Sequence, residues 1–131
     1  MEASSKKRIL VADDEKDARD FVNAVLEDEY EVVMASNGAE ALKLASSEKP
    51  DLIVLDVQMP EMGGFDVFAE LKKDEALAAI PVVMLTGVRE TAGIGFSKEE
   101  MGDYFGNEPT AYLEKPIDPG KLAETVKSCL G

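Results

Sequence analysis

Residues 52–66 read LIVLDVQMPEMGGFD. The first four are apolar, and such a run is typical of a strand that is buried on both faces of a parallel sheet. Asp56 ends the run, a turn rich in proline and glycine follows, and apolar residues return at helical spacing from Phe65 onward. The stretch therefore predicts a buried strand, an acidic loop and a helix, the repeating unit of α/β folds.

The same alternation continues on both sides of this unit. Four more short apolar runs predict strands, and apolar residues recur at the helical period after them. The predicted strands are Ile9–Ala12, Tyr30–Ala35, Val82–Leu85 and Thr110–Leu113, and the helical stripes cover Ala18–Leu26, Ala41–Ala45, Phe65–Leu71 and Leu122–Leu130. Asn37 and Asp118 are placed to cap two of the helices. The sequence predicts an α/β domain with a parallel sheet.

Composition narrows the function classes. The 131 residues suit one domain, and 27 acidic against 14 basic residues give a net charge of −13, which disfavours nucleic acid and anionic membranes and favours divalent cations. Cys129 is the only cysteine and there is no histidine, which excludes an internal disulfide and a Ser–His–Asp triad.

Residues 1–7 predict a flexible polar leader rather than a signal peptide, and no apolar run is long enough to cross a bilayer. A reducing, cytoplasmic setting fits this usage.

Polar residues stand where four of the predicted strands end. Asp13 and Asp14 follow the first strand, Asp56 the third, Thr86 the fourth and Lys115 the fifth. Each alone has an ordinary explanation, such as a helix cap, a loop residue, a strand end or a surface lysine. Ligands of open parallel sheets, however, bind at the carboxyl ends of the strands, where these residues converge.

The set points to one kind of chemistry. Converging carboxylates repel each other, and a magnesium ion, which prefers oxygen ligands, removes that cost. A lysine and a hydroxyl can hold an anion beside them. Together these groups suit the transfer of a phosphoryl group onto a carboxylate, and Asp56 is the candidate nucleophile because it lies at the sheet centre.

Four segments occur in order along the chain: RILVADDE, LIVLDVQMPEMGGFD, VVMLTG and YLEKPID. Together they resemble the signature blocks of two-component response-regulator receivers, over nearly the whole chain. The resemblance implies a flavodoxin-like strand order 2-1-3-4-5 and a receiver domain over residues 8–131 without an output domain. It implies a bacterial-type phosphorelay switch, rather than a turnover enzyme, that takes its phosphoryl group from a sensor histidine kinase, a histidine phosphotransfer protein or a small phosphodonor and then binds a downstream protein.

The resemblance also assigns roles to residues. Asp56 would be the phospho-acceptor and a magnesium ligand, and Lys115 would contact the phosphoryl group. Asp14 would bind Mg²⁺ directly, Asp13 mainly through water, and the backbone carbonyl of Gln58 would be a further ligand.

The switch itself is expected in the second half of the chain. Thr86 would be the switch hydroxyl, Tyr112 the aromatic residue that moves with it, and a cis Lys115–Pro116 bond would aim the lysine. The glycine-rich segment 87–107, with one short helix predicted at 97–105, makes the separation of Thr86 and Lys115 longer than in most members. This atypical fourth-helix region is either a tolerated insertion or an altered partner face.

Other functions fit less well. A flavin mononucleotide binder needs a phosphate loop after the first strand, and here that loop is acidic. An aspartyl-phosphate phosphatase usually has a second acid close after its nucleophile, whereas Val57 and Gln58 follow Asp56. Neither GxGxxG nor GxxxxGK[ST] occurs. A phosphorylation-independent pseudo-receiver, which is an interaction module, is the main alternative, although such domains normally lack one of the acids or the lysine.

Overall fold

The computed structural model describes residues 6–59, 62–86, 111–115 and 117–130. Strands and helices alternate along these residues. They are β1 (Arg8–Ala12), α1 (Lys16–Leu26), β2 (Glu31–Ala35), α2 (Gly38–Glu48), β3 (Leu52–Asp56), α3 (Gly64–Lys73), β4 (Val82–Thr86), β5 (Ala111–Glu114) and α4 (Pro119–Leu130). The predictions for segment 87–107 and for the Lys115–Pro116 bond fall outside the described residues.

The five strands form one parallel sheet in the order β2-β1-β3-β4-β5. The predicted strand order is therefore confirmed. The strand β3 lies at the centre, and all five of its residues are buried. Because all strands point the same way, their carboxyl ends meet at one edge of the sheet.

Two apolar layers cover the sheet. Leu10 and Ala12 face the helices α2 and α3, whereas Ile9 and Val11 face α1 and α4. This alternation follows from the two-residue period of a strand. It makes the central strands apolar on both faces, which explains why they appear as continuous apolar runs in the sequence.

Most helix ends lie where the sequence predicts them. The side chain of Asn37 accepts a hydrogen bond from the Glu40 amide at 2.8 Å, and that of Asp118 accepts one from the Lys121 amide at 2.8 Å. Helix α2 ends at Glu48, and its C-cap residue Lys49, directly before Pro50, has a left-handed φ of 49°. Among the described residues, no helix combines the length and apolar character that a membrane span requires.

One residue of a predicted apolar stripe is not in the core. Val22 and Leu26 of α1 are buried, but Phe21 is 38% exposed. Phe21 instead lines a shallow groove with Ala18 and Ile117. Helical periodicity gives the direction of a side chain, but it does not show how far the neighbouring elements extend over it.

Candidate functional site

Three carboxylates meet at the carboxyl edge of the sheet. Asp56 is the last residue of β3, and Asp13 and Asp14 follow the neighbouring strand β1. One carboxylate oxygen from each lies within 4.8 Å of the others. Asp13 is fully buried and Asp56 is 3% exposed, whereas Asp14 faces solvent. The predicted convergence of these three acids is therefore present.

Lys115 brings a positive charge into this cluster. Its backbone amide donates to the Thr86 carbonyl at 2.6 Å, which extends the pairing of β4 and β5 beyond the last strand residue. Its Nζ lies 3.2 Å from Asp13 Oδ2 and 3.1 Å from Asp56 Oδ1. Because the lysine side chain is only 26% exposed, water screens these ion pairs weakly.

Burial and neighbouring charges shift the pKa values of Asp56 and Lys115. Burial, and next the negative charge of Asp13, raise the pKa of Asp56 to about 7, although Lys115 opposes the shift. Burial lowers the pKa of Lys115, but the charges of Asp56 and Asp13 outweigh it and leave that pKa above its ordinary value. Burial and the charge of Asp13 together thus outweigh the effect of Lys115 on the pKa of Asp56.

Every polar group of Asp13 has a partner. Its amide donates to the Ala35 carbonyl at 3.1 Å, and its carbonyl accepts from Arg19 Nη1 at 2.7 Å. Its Oδ1 accepts from the Glu15 amide at 3.0 Å, and its Oδ2 faces Lys115. Asp13 is therefore fixed on all sides by the protein, and the exposed Asp14 is the acid that solvent and ions reach first.

The ordinary explanation of the acidic pair as a helix cap does not fit this geometry. The N-cap residue of α1 is Glu15, and its side chain makes no capping hydrogen bond. The carboxylate of Asp13 accepts the Glu15 amide but points into the cluster toward Lys115. The pair therefore belongs to the site rather than to the end of the helix.

The loop after β3 folds tightly back onto Asp56. The Val57 amide donates to the Leu85 carbonyl at 3.0 Å, and the Gly64 amide donates to the Val57 carbonyl at 2.9 Å. A Cβ atom at Gly64 would collide with the carbonyl oxygen of Asp56, so only glycine fits there. Gln58 lies in this loop and is exposed. Its role as a carbonyl ligand remains a prediction.

The two predicted switch residues lie on adjacent strands. Thr86 is buried at the end of β4. It pairs in register with Glu114, and Tyr112 pairs with Met84 two residues earlier. Thr86 and Tyr112 therefore point to the same face of the sheet, where Tyr112 packs against the core shared with α2 and α3.

One residue of the site was missed by the sequence interpretation. Arg19, in the first half of α1, contacts the carbonyl of Asp13. A signal for it exists in the sequence, because a cation near the N-terminus of a helix opposes the helix dipole and so suggests a specific acceptor.

The donor set fits a hard divalent cation. Three carboxylates offer the oxygen ligands that Mg²⁺ prefers, and a cation among them would oppose the burial and the like charge that raise the pKa of Asp56. The exposed side of Asp14 leaves room for the waters that Mg²⁺ usually keeps. The structure thus combines a buried carboxylate, a metal-compatible cluster and a lysine that can bind an anion.

Comparison with known proteins finds relatives that match nearly the whole chain. The chain is 37% identical to the polar-differentiation response regulator DivK of Brucella anthropi over 126 residues, which cover 96% of this chain and 97% of that protein. The same regulator of Brucella melitensis is 37% identical over 127 residues, which cover 97% of this chain and 98% of that protein.

Solved structures share the fold. The chemotaxis protein CheY4 of Vibrio cholerae superposes with a TM-score of 0.81 at 30% identity, covering 95% of this chain and 99% of that one. A putative response regulator of Chloroflexus aurantiacus superposes with a TM-score of 0.83 at 27% identity, covering 96% and 98%. The sequence profile described as "Response regulator receiver domain" matches residues 9–127. The chain therefore belongs to the response regulator receiver family.

Proposed function

We propose that this chain is a phosphorylation switch in which Asp56 accepts a phosphoryl group from a phosphohistidine or a small phosphodonor. One observation carries the proposal: a buried carboxylate lies at the sheet centre, 3.1 Å from Lys115 Nζ and within 4.8 Å of the other two acids. Because the chain has no histidine, the phosphohistidine belongs to a partner, a sensor histidine kinase or a histidine phosphotransfer protein. The transfer takes place in the cytoplasm.

The chemistry follows from the positions of the side chains. An oxygen of ionised Asp56 forms a bond to phosphorus while the bond from phosphorus to the donor atom breaks, and the electron pair leaves with the donor. Lys115 faces Asp56, and it would contact the phosphoryl oxygens. Mg²⁺ held by Asp13, Asp14, Asp56 and the Gln58 carbonyl would supply further positive charge at those oxygens.

Intact mass spectrometry tests the transfer. The protein is incubated with acetyl phosphate and Mg²⁺, and the expected product carries one added phosphoryl group. Asp56→Asn and an excess of EDTA should each abolish the product. Asp51→Asn is the matched control, because Asp51 lies just before the same strand, at the opposite edge of the sheet. An unmodified wild-type mass, with folding verified, would favour the pseudo-receiver alternative.

Phosphorylation is proposed to change a protein-binding face through Thr86 and Tyr112. The Thr86 hydroxyl would donate to the new phosphoryl oxygens, and Tyr112 would turn into the space that it leaves. The position of both residues on one face of the sheet, on adjacent strands, supports this coupling. A downstream protein would then recognise the rearranged face.

Hydrogen exchange tests the coupling with beryllofluoride as the phosphoryl mimic. The amides of β5, from Ala111 to Glu114, should change protection when the mimic binds. Thr86→Ala should reduce this change, whereas Thr86→Ser, which keeps the hydroxyl, should retain most of it. A change confined to the loop after Asp56 in all three proteins would contradict the coupling.

A further inference from the structure

We propose that Arg19 is a positioning residue, which holds the loop between β1 and α1 so that Asp13 and Asp14 are oriented to bind a divalent cation. The inference deepens the proposed function, because it concerns the same site. It assigns a role to a basic residue outside the acidic cluster.

The contact that carries this inference is short and directional. Arg19 Nη1 donates to the carbonyl oxygen of Asp13 at 2.7 Å, from a half-buried side chain. A hydrogen bond from a guanidinium is charge-assisted and therefore stronger than one between neutral groups. Since the other polar groups of Asp13 bind Ala35, Glu15 and Lys115, Arg19 supplies the remaining restraint on this residue.

The acceptor atom explains how Arg19 acts on the metal ligand. The carbonyl of Asp13 belongs to the peptide plane that links Asp13 to Asp14, and that plane is rigid. Fixing the direction of this carbonyl therefore fixes the start of the Asp14 residue, whose exposed carboxylate completes the cluster. Without Arg19, this plane could rotate and Asp14 could turn away from Asp56.

Arg19 also acts on the neighbouring loop at the same edge. The Glu40 carboxylate accepts hydrogen bonds from the amide and the hydroxyl of Ser36, at 2.7 and 3.0 Å. These bonds, and to a smaller extent the charge of Arg19, lower the pKa of Glu40. Because Ser36 directly follows Ala35, whose carbonyl accepts the Asp13 amide, the loop that carries Ser36 also helps to position Asp13.

The experiment compares two arginines of the same sheet. Arg19→Gln removes the charged donor, Arg19→Lys keeps a charge with a shorter reach, and Arg8→Gln is the matched control. Arg8 likewise donates to a backbone carbonyl, that of Glu48 at 3.0 Å, but at the opposite end of β1. For each protein, calorimetry gives the dissociation constant of Mg²⁺, urea unfolding gives the stability, and metal-free hydrogen exchange gives the protection of the Glu15 amide.

Arg19→Gln should weaken Mg²⁺ binding roughly tenfold, the usual effect of losing an outer partner of a metal ligand. The metal-free Glu15 amide should also exchange faster, because its acceptor Asp13 is less restrained. Arg19→Lys should lie between this variant and the wild type. Arg8→Gln should lower stability but leave Mg²⁺ affinity and the Glu15 amide unchanged. Saturating Mg²⁺ should restore most of the phosphorylation rate of Arg19→Gln.

Several results would overturn the inference. They are unchanged Mg²⁺ affinity in both Arg19 variants, an equal loss of affinity in Arg8→Gln, or a wild type that does not bind Mg²⁺. If Arg19→Gln does not fold, the comparison rests on Arg19→Lys, for which unchanged affinity and amide exchange are the contradicting result. A wild type that binds Mg²⁺ but takes no phosphoryl group contradicts the proposed function alone.

Discussion

At both edges of the sheet a basic side chain lies among several acids, but the surroundings of the two differ. At the amino edge, Arg8 Nη2 lies 2.9 Å from Glu31 and Nη1 lies 3.3 Å from Glu48. The Arg8 amide donates to Asp51 at 2.8 Å. Glu31 and Glu48 are 47% and 39% exposed, so water solvates these charges as well as the protein does.

At the carboxyl edge the acids that face the cation are buried. Lys115 lies between Asp13 and Asp56, whose side chains are 0% and 5% exposed. Here burial and like charge raise the pKa of Asp56 to about 7. Similar residue types therefore form an exposed network of ion pairs at the amino edge and a buried cluster of repelling carboxylates, suited to a cation, at the carboxyl edge. Burial, more than the number of charges, accounts for the difference between the two edges.

Removing Lys115 should give the largest effect in this comparison. In the proposed mechanism, Lys115→Gln takes away a charged donor that would face the phosphoryl oxygens, and the loss of one such donor typically slows a reaction about 100- to 1000-fold. Lys115→Arg keeps the charge without the compact ammonium and should be slowed less. Phosphorylation rates with acetyl phosphate, followed by mass spectrometry, measure both. A wild-type rate in both variants would make Lys115 an ordinary surface lysine.

Neutralising Asp56 should stabilise the metal-free protein at neutral pH. A carboxyl group whose folded pKa is raised stays protonated in the folded state while the unfolded chain ionises, so stability falls as pH rises from about 4 to about 7. Asp56→Asn removes this loss and should gain about 3 kcal/mol near pH 7, but little near pH 4.

Urea unfolding at several pH values, in EDTA, measures this effect. Asp51→Asn, at the amino edge, is the control and should not give the gain near pH 7 that Asp56→Asn gives. If the stability of the wild type and of Asp56→Asn changed with pH in parallel, the Asp56 carboxylate would not destabilise the folded protein.

Mg²⁺ bound among the carboxylates should also raise the free energy of unfolding. A ligand bound only by the folded state, at 100 times its dissociation constant, raises the free energy of unfolding by about 2.7 kcal/mol. Asp14→Asn should lose most of this gain, whereas Asp17→Asn, an exposed acid in the first turn of α1, should keep it. Thermal or urea unfolding with and without Mg²⁺ gives the comparison. A gain of equal size in all three proteins would indicate non-specific charge screening.

The sequence predicts the carboxyl edge better than the amino edge. Asp13, Asp56 and Lys115 each follow an apolar run, so strand periodicity and the convergence of parallel strands suffice to bring them together. The network around Arg8 has no such pattern, because its partners come from β2, α2 and the residue before β3. Nothing in local periodicity gives those distances.

Contacts to backbone carbonyls escape sequence interpretation for the same reason. Arg19 reaches the carbonyl of Asp13, and every residue type supplies an identical carbonyl. Close backbone approaches are equally hidden: a Cβ atom at Gly38 would press on Met62, which ties α2 to the loop after β3. The exposure of Phe21 shows the complementary limit, since period alone does not tell which residues a neighbouring helix covers.

The smallest expected effect on stability is that of a substitution at the amino edge. Arg8→Gln should lower the stability modestly, because exposed ion pairs contribute little. The difference in stability from the wild type should shrink in about 1 M salt, where the Debye length is about 3 Å. Part of the difference should persist, because the variant also loses the hydrogen bond to the Glu48 carbonyl. Urea unfolding at low and high salt measures this, and the phosphorylation rate should equal that of the wild type. If Arg8→Gln slowed phosphorylation as much as Lys115→Gln does, the two edges would be coupled, and the site would depend on charges across the whole length of β1.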